Sequence, residues 1–308
     1  MNHCLDDFVY IDESEFESVS TLGGKESVEI GNDSGGEIDE EAFYDYLINL
    51  DGSDRIETLE IIGNSQLKNL EIIKAFPSLR ILTVWGNSIA SYDGMEWFKN
   101  GEFLKIDSNK NRRRDIEKIA LAPISRMYLD YVKSADFEAI GKCHNLQMLE
   151  IVKSPSPDFQ EWRNVPLDYL KFIQGKFTEL SDTGYIKTLR TLVVAGCRSF
   201  ERFIGDNSSA LLVDIISCKN FDISSINVLQ RVKYVTVVDC AKEIALSDIP
   251  AHPSIRKLTF LSTKVSFDSF EFEKKMPNIE KIVIEKMTKE HEQLLRKANP
   301  NIYISKHL

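Results

Sequence analysis

No run in this sequence reaches the roughly eighteen consecutive apolar residues that a membrane-spanning helix needs, so no span is expected. The start, Met-Asn-His-Cys-Leu-Asp-Asp, lacks a basic region followed by an apolar core, so no secretory leader is expected. Cysteine is sparse and odd in number. Cys4, Cys143, Cys197, Cys218 and Cys240 show no C-x-x-C spacing, which excludes a disulfide framework and fits a reduced, cytoplasmic protein. No glycine-rich phosphate loop is present, since Thr21-Leu-Gly-Gly-Lys25 lacks the required spacing, and there is no G-x-S-x-G elbow. The five histidines are scattered. Glu290-His291-Glu292 has no second histidine at metal spacing and reads as a solvated charged face. Catalysis, a resident metal and a cofactor are therefore not expected.

Charge is abundant but unevenly placed. Residues 1–60 hold 18 of the 48 acidic side chains and only two basic ones, Lys25 and Arg55, a balance of −16. The remainder has 30 acidic and 36 basic residues, so an acidic head joins a mildly basic body within an overall −10. The basic run Lys110-Asn-Arg-Arg-Arg114 is the one candidate phosphate contact. It reads in preference as a solvated convex loop of the third repeat, and the overall charge argues against nucleic acid as the main ligand.

What the chain has is a repeat. Leu59-Glu-Ile-Ile-Gly-Asn64 recurs as Leu82-Thr-Val-Trp-Gly-Asn87 and Leu104-Lys-Ile-Asp-Ser-Asn109. Eight further copies run to Ile282-Val-Ile284 at spacings of 21 to 24 residues. When each copy is numbered from three residues before its first aliphatic, positions 4 and 6 are apolar in 22 of 22 cases against a 43% background. Position 1 lacks an apolar side chain only at Gly101. Position 9 is Asn64, Asn87 and Asn109 early, then Cys197, Cys218 and Cys240. The pattern L-x-x-L-x-L-x-x-N/C resembles the leucine-rich repeat family over residues 56–285. The resemblance implies an α/β fold: a leucine-rich-repeat solenoid with a curved parallel sheet on its concave face and short helices or turns on its convex face. Position 9 departs from the pattern at Val132, Ser154, Gly175, Thr263 and Met287, so an interrupted inner ladder is expected there. The three cysteines should stack as buried apolar filler.

Prolines at 77, 123, 166, 253 and 277 stand one or two residues before position 1, where each outer segment must end. Ser27–Asn32 mimics the cassette and reads as a capping strand. Residues 38–50 read as a capping helix, with acidic residues in its first turn. Residues 287–298 read as a C-terminal helix with Thr288 as N-cap, and Ile302-Tyr-Ile304 as a closing strand. The expected organisation is an acidic capping segment over 1–55, a continuous array of about eleven repeats over 56–286, and a cap over 287–308.

Side chains at positions 3, 5 and 7 alternate away from the core. Position 7 is apolar in eight of eleven copies, more than the strand preference of β-branched residues requires around Trp85. Aromatic and charged residues dominate protein contacts. The candidate partner-binding residues are Trp85, Phe103, Tyr128, Tyr169 and Ile173, with Asp107, Arg126, Asp130 and Lys171 setting register by charge. The expectation is a non-enzymatic protein-interaction scaffold, monomeric in preference to homodimeric, whose acidic head steers a basic partner. Two alternatives stand beside it: a neutralising, immunity-type partner of a bacterial toxin, and a structural module that forms a homodimer through the concave face.

Overall fold

The computed structural model describes residues 8–85, 89–107, 115–269 and 271–307. Asn87, Asn109 and the run Lys110–Arg114 lie outside the described residues. The chain packs as two compact units, residues 1–131 with 138–148, and residues 132–137 with 149–308.

In the first unit each cassette forms a short strand, because alternate apolar side chains leave one face of an extended segment to be buried. The strands are β1 (Phe8–Asp12), β2 (Ser27–Gly31), β3 (Thr58–Ile61), β4 (Ile81–Trp85), β5 (Phe103–Asp107) and β6 (Arg126–Asp130), hydrogen-bonded in parallel in sequence order. Register keeps equivalent repeat positions side by side: Leu59 against Leu82, Leu82 against Leu104, Leu104 against Met127. All the position-4 and position-6 residues of β3–β6 are buried. The sheet begins earlier than the repeat count implies, with Val9-Tyr-Ile11 supplying an edge strand against β2. The helix Glu40–Asn49, capped by Asp39 accepting from Ala42 N at 3.1 Å, buries Phe43 and Leu47. It packs in the back layer against the 3-10 turn Glu71–Ala75. Gly101 breaks the position-1 pattern because the Phe98 ring already fills that space: a Cβ there would stand 2.6 Å from Phe98 Cδ1.

The second unit holds most of β7 (Met148–Val152), then β8 (Tyr169–Ile173), β9 (Glu179–Ser181), β10 (Thr191–Ala195), β11 (Arg202–Ile204) and β12 (Leu212–Ile216). These are followed by β13 (Tyr234–Val238), β14 (Ile244–Ala245), β15 (Lys257–Leu261), β16 (Val265–Ser266), β17 (Lys281–Ile284) and β18 (Tyr303–Ser305). The main sheet runs β7-β8-β10-β12-β13-β15-β17-β18, and β9–β11 and β14–β16 form two small parallel pairs behind it. The helix Lys289–Ala298 starts at Thr288, whose hydroxyl accepts from His291 N at 3.1 Å. His291 itself stacks on Phe267.

Behind the second unit's sheet runs a chain of rings. Phe159 meets Trp162, Phe172 meets Phe177, Phe177 meets Phe200, and Phe200 meets both Phe203 and Phe221, all at centroid distances of 5.1–5.8 Å. Trp162 is fully buried and donates Nε1–H to Phe137 O at 2.8 Å.

The inner ladder of the second unit differs from expectation in one place. The cysteine thiols hydrogen-bond strand carbonyls: Cys197 to Ala195 O of its own repeat, and Cys218 to Ile216 O of its own and Val194 O of the preceding one. Thr263, expected as an interruption, continues the series instead. Its hydroxyl accepts from Cys240 N at 3.3 Å and donates to Leu261 O at 3.0 Å, doing what a thiol or amide would do. Ser154 does interrupt it, with its buried hydroxyl unpaired. At Gly175 the Phe177 ring takes the volume.

Candidate binding surface

In the first unit three outward rows cross the strands. Position 5 reads Tyr10, Glu29, Glu60, Thr83, Lys105, Tyr128, and position 3 ends in Ile81, Phe103, Arg126. The position-7 row places Trp85 beside Asp107.

These side chains organise one another. Trp85 Nε1–H donates to Glu60 Oε1, which fixes the indole plane. Over that plane sits the Lys105 ammonium, 3.6 Å from the Trp85 ring centre and 5.5 Å from that of Tyr128. A cation between two aromatic faces is attracted by both ring quadrupoles. On the neighbouring row the Arg126 guanidinium lies 5.6 Å over Phe103. Four of the expected contact residues thus fall in two cation–aromatic clusters on the outward face, Trp85 with Tyr128 and Phe103 with Arg126, and Asp107 is half-buried beside Trp85. Lys105 and Glu60 complete the first. Both stood at position 5 in adjacent register with the aromatics, and their opposite charges were the available signal. Asp130 differs: it is only 5% exposed and accepts from Tyr131 N at 2.9 Å, so its carboxylate serves the turn after β6.

The other end of the first unit's face is acidic. Burial pushes the Glu29 carboxyl up, and the neighbouring charges of Glu60 and Asp33 add to the effect. Burial also raises the Tyr10 hydroxyl to about 12, helped by Asp33. Asp12 moves the other way, to about 2: burial raises it, but hydrogen bonds from Ser34 and Ser14 outweigh that. Carboxylates crowded together in this way favour an approaching cation.

In the second unit, Tyr169, Lys171 and Ile173 lie at positions 3, 5 and 7 of β8. Lys171 Nζ pairs with Glu150 Oε2 at 3.3 Å. Burial raises the Tyr169 hydroxyl, with Glu150 and Asp214 contributing. From Ile173 an apolar row continues through Ala195, Ile216, Val238 and Leu261, all half-buried. The group differs in kind from that of the first unit, being apolar with its one lysine already paired.

No family model matches the sequence, and no curated protein matches it. Among solved structures, an internalin from Listeria monocytogenes is similar over 91% of this chain and 78% of its own, at 12% identity and a TM-score of 0.53. The fold is the leucine-rich-repeat fold. At that identity the likeness is one of architecture. A leucine-rich-repeat protein of Leptospira interrogans aligns over 95% of this chain and 94% of its own, also at 12% identity, with a TM-score of 0.30, too low to support an argument. In leucine-rich-repeat terms, positions 1, 4, 6 and 9 build the layer interiors. The Glu60–Trp85–Lys105–Tyr128 group occupies the positions that the repeat leaves variable.

Proposed function

We propose that this chain is a protein-interaction scaffold whose first unit holds a protein partner on the outward face of its sheet. The observation that carries the reading is the fixed group Glu60, Trp85, Lys105 and Tyr128, flanked by Phe103 and Arg126. A strand that only had to fold would need none of these residues at outward positions. Preorganised aromatic and charged side chains lose little entropy on binding, which is how a small patch comes to dominate an interface. The partner is read as basic where it meets Tyr10, Glu29, Asp33 and Glu60, because a cation there relieves the mutual repulsion that raises Glu29. Asp107 and Arg126 then set register at the other side. A cytoplasmic location goes with this reading, supported by the four buried, free thiols of Cys143, Cys197, Cys218 and Cys240.

The test is affinity capture from the cells of origin, with mass spectrometry, comparing the wild type with the double variant Trp85→Ala/Tyr128→Ala. Loss of each residue at a contact centre is expected to cost about 2 kcal/mol or more, roughly thirtyfold in affinity. Unchanged recovery of the same partner, with an unaltered circular dichroism spectrum, would refute the reading.

A further inference from the structure

Three basic side chains of the second unit recur at one repeat position and line one cleft. Lys176, Arg198 and Lys219 occupy repeat position 10, one residue beyond the inner ladder, in three consecutive repeats. All three are exposed, and among the described residues none forms an ion pair. Some exposed cations of the unit are paired, Arg190 with Asp168, Arg202 with Glu179 and Arg256 with Glu280. Others such as Lys187, Arg231 and Lys297 form no ion pair among the described residues, but those three do not recur at one repeat position. The next position-10 cation, Lys264, shows how the repeat pairs such a residue. It reaches Glu243, at position 12 of the preceding repeat, at 3.1 Å. The residues that stand where Glu243 stands, relative to Lys176, Arg198 and Lys219, are Pro157, Thr178 and Phe200. The sequence therefore leaves three stacked cations without the partner that the repeat geometry could supply.

They surround a cleft of about 610 Å³ that Ser199, Ser217 and Asp239 also line. Two backbone amides there are already used: Lys176 N donates to Ser154 O at 2.8 Å, and Ser217 N to Val238 O at 2.8 Å. Recognition falls to long side chains stepped along the repeat axis. Parallel strands lie roughly 4.8 Å apart, so the two steps between three cations, about 9.6 Å, match a run of about four extended acidic residues at ~3.3 Å each. Asp239, its carboxylate accepting from Ser217 Oγ at 2.9 Å, places a negative charge at one end and limits the length of anion the cleft accepts.

We propose that this cleft is a docking site for a short acidic peptide segment of a partner protein, bound through Lys176, Arg198 and Lys219. The chain's overall −10 repels such a segment at long range, so the attraction is local to the cleft. The site is separate from the face assigned above to a basic partner.

Fluorescence anisotropy at low ionic strength tests it, with the full chain and a labelled peptide of four consecutive glutamates in a Gly/Ser context. Saturable binding is expected. It should weaken by roughly tenfold or more in Lys176→Glu/Arg198→Glu/Lys219→Glu. It should stay within about threefold in Lys187→Glu/Arg231→Glu/Lys297→Glu, which changes net charge equally with exposed residues elsewhere. Asp239→Asn should tighten binding, and Trp85→Ala/Tyr128→Ala should leave it alone, which separates failure here from failure of the scaffold reading. Absence of saturable binding, or equal loss in both triple variants, would overturn the proposal. So would tighter binding of inorganic phosphate or of a single-stranded oligonucleotide than of the peptide. Loss of the circular dichroism spectrum in the triple variant would move the comparison to the single variant Arg198→Glu, judged by the same criterion.

Discussion

The same strand is finished in two ways. At repeat position 8 the first unit has Gly63 without a left-handed backbone and Tyr131 with one, whereas six of the seven second-unit residues there turn through positive φ, Lys286 being the exception. Lys153, Gln174, Gly196, Ser217, Asp239 and Ser262 all lie between +49° and +62°, and only one is glycine. A left-handed residue with a Cβ costs about 1–2 kcal/mol. The second unit sustains this because five of those amides extend the parallel ladder, as Gln174 N to Ala195 O at 2.8 Å and Gly196 N to Ile216 O at 2.7 Å illustrate, and the Ser262 amide donates to the Glu285 carboxylate. Its back layer is tied by contiguous rings. The first unit instead spends its distinctive residues on its open face, where charge and aromatic side chains are fixed against one another. One unit is regular and internally braced; the other varies where a partner can reach it.

The bracing predicts the largest effect. Phe200 touches three other rings, whereas Phe98, also buried, has none of the ring pairs found among the described residues. Phe200→Ala should cost about 3–5 kcal/mol, and Phe98→Ala about 1 kcal/mol less, since ring pairs add roughly 0.5–1.5 kcal/mol beyond burial. Denaturant unfolding of both variants checks this. Equal losses would remove the ring chain as a distinguishing feature of the second unit.

Turn glycines sharpen the comparison at a smaller scale. Gly94 has φ +101°, and a Cβ there would overlap the Leu70 carbonyl. Gly196 has φ +62° and its nearest neighbour to a Cβ is Gln174 Cγ at 3.6 Å. Gly94→Ala must displace backbone and should cost about 3 kcal/mol or more, while Gly196→Ala should cost only the conformational term, about 1 kcal/mol. Gln174→Gly, the reverse change at an equivalent position, should raise stability by up to about 1 kcal/mol. Thermal melts of the three variants read these differences directly. A destabilised Gln174→Gly would mean that the left-handed turn is favoured by contacts stronger than its strain.

How much of this could be read from the residues follows from where the information is local. The strands were legible because burial of one face imposes a period of two at fixed intervals, and Leu59, Leu82 and Leu104 declare it without tertiary context. The helix Glu40–Asn49 was legible from the helical spacing of Phe43, Tyr46 and Leu47 and from its acidic first turn. The edge strand Phe8–Asp12 was not, since it holds only Val9 and Ile11 inside an acidic stretch and precedes β2 by a shorter step than the repeat. The pairs β9–β11 and β14–β16 were also missed: two or three residues each carry no period. Thr263 was misjudged from its residue type, because a hydroxyl meets the same backbone need as the asparagine or thiol of other copies. At the surface, Trp85, Phe103, Arg126 and Tyr128 were expected on the outward face from alternation along the strands, and none of them is buried. Lys105 became visible only through register, which brings it between two rings from neighbouring strands. Asp130 looked accessible by alternation and is in fact covered.

The smallest predicted effect is in pH, and its sign should differ between the units. His252 is buried, with one ring nitrogen 3.0 Å from Leu229 O and the other accepting from Ser254 N at 3.3 Å. The ring is thus neutral, with Nε2–H the donor, and burial lowers its pKa below 6.5. The unfolded chain then binds the proton first, so this contribution to stability is full above pH 6.5 and is lost as pH falls from there through the folded value. In the first unit Glu13 is also buried, accepting from Ser65 Oγ and from Gln66 N at 2.7 Å, and burial raises its carboxyl above 4.5 despite those bonds. Here the folded state holds the proton more tightly, so stability is present at and below pH 4.5 and is lost as pH rises through the folded value. As pH falls from 7, protection relative to the intrinsic exchange rate should therefore drop around Ser254 and, as the folded Glu13 value is passed, rise around Gln66, each by a slope of at most one proton, about 1.4 kcal/mol per pH unit. His252→Gln should flatten the first trend and Glu13→Gln the second, leaving the other untouched. If one substitution flattened both, the two units would share a single opening reaction, and the difference in how they are braced would not be felt as a difference in stability.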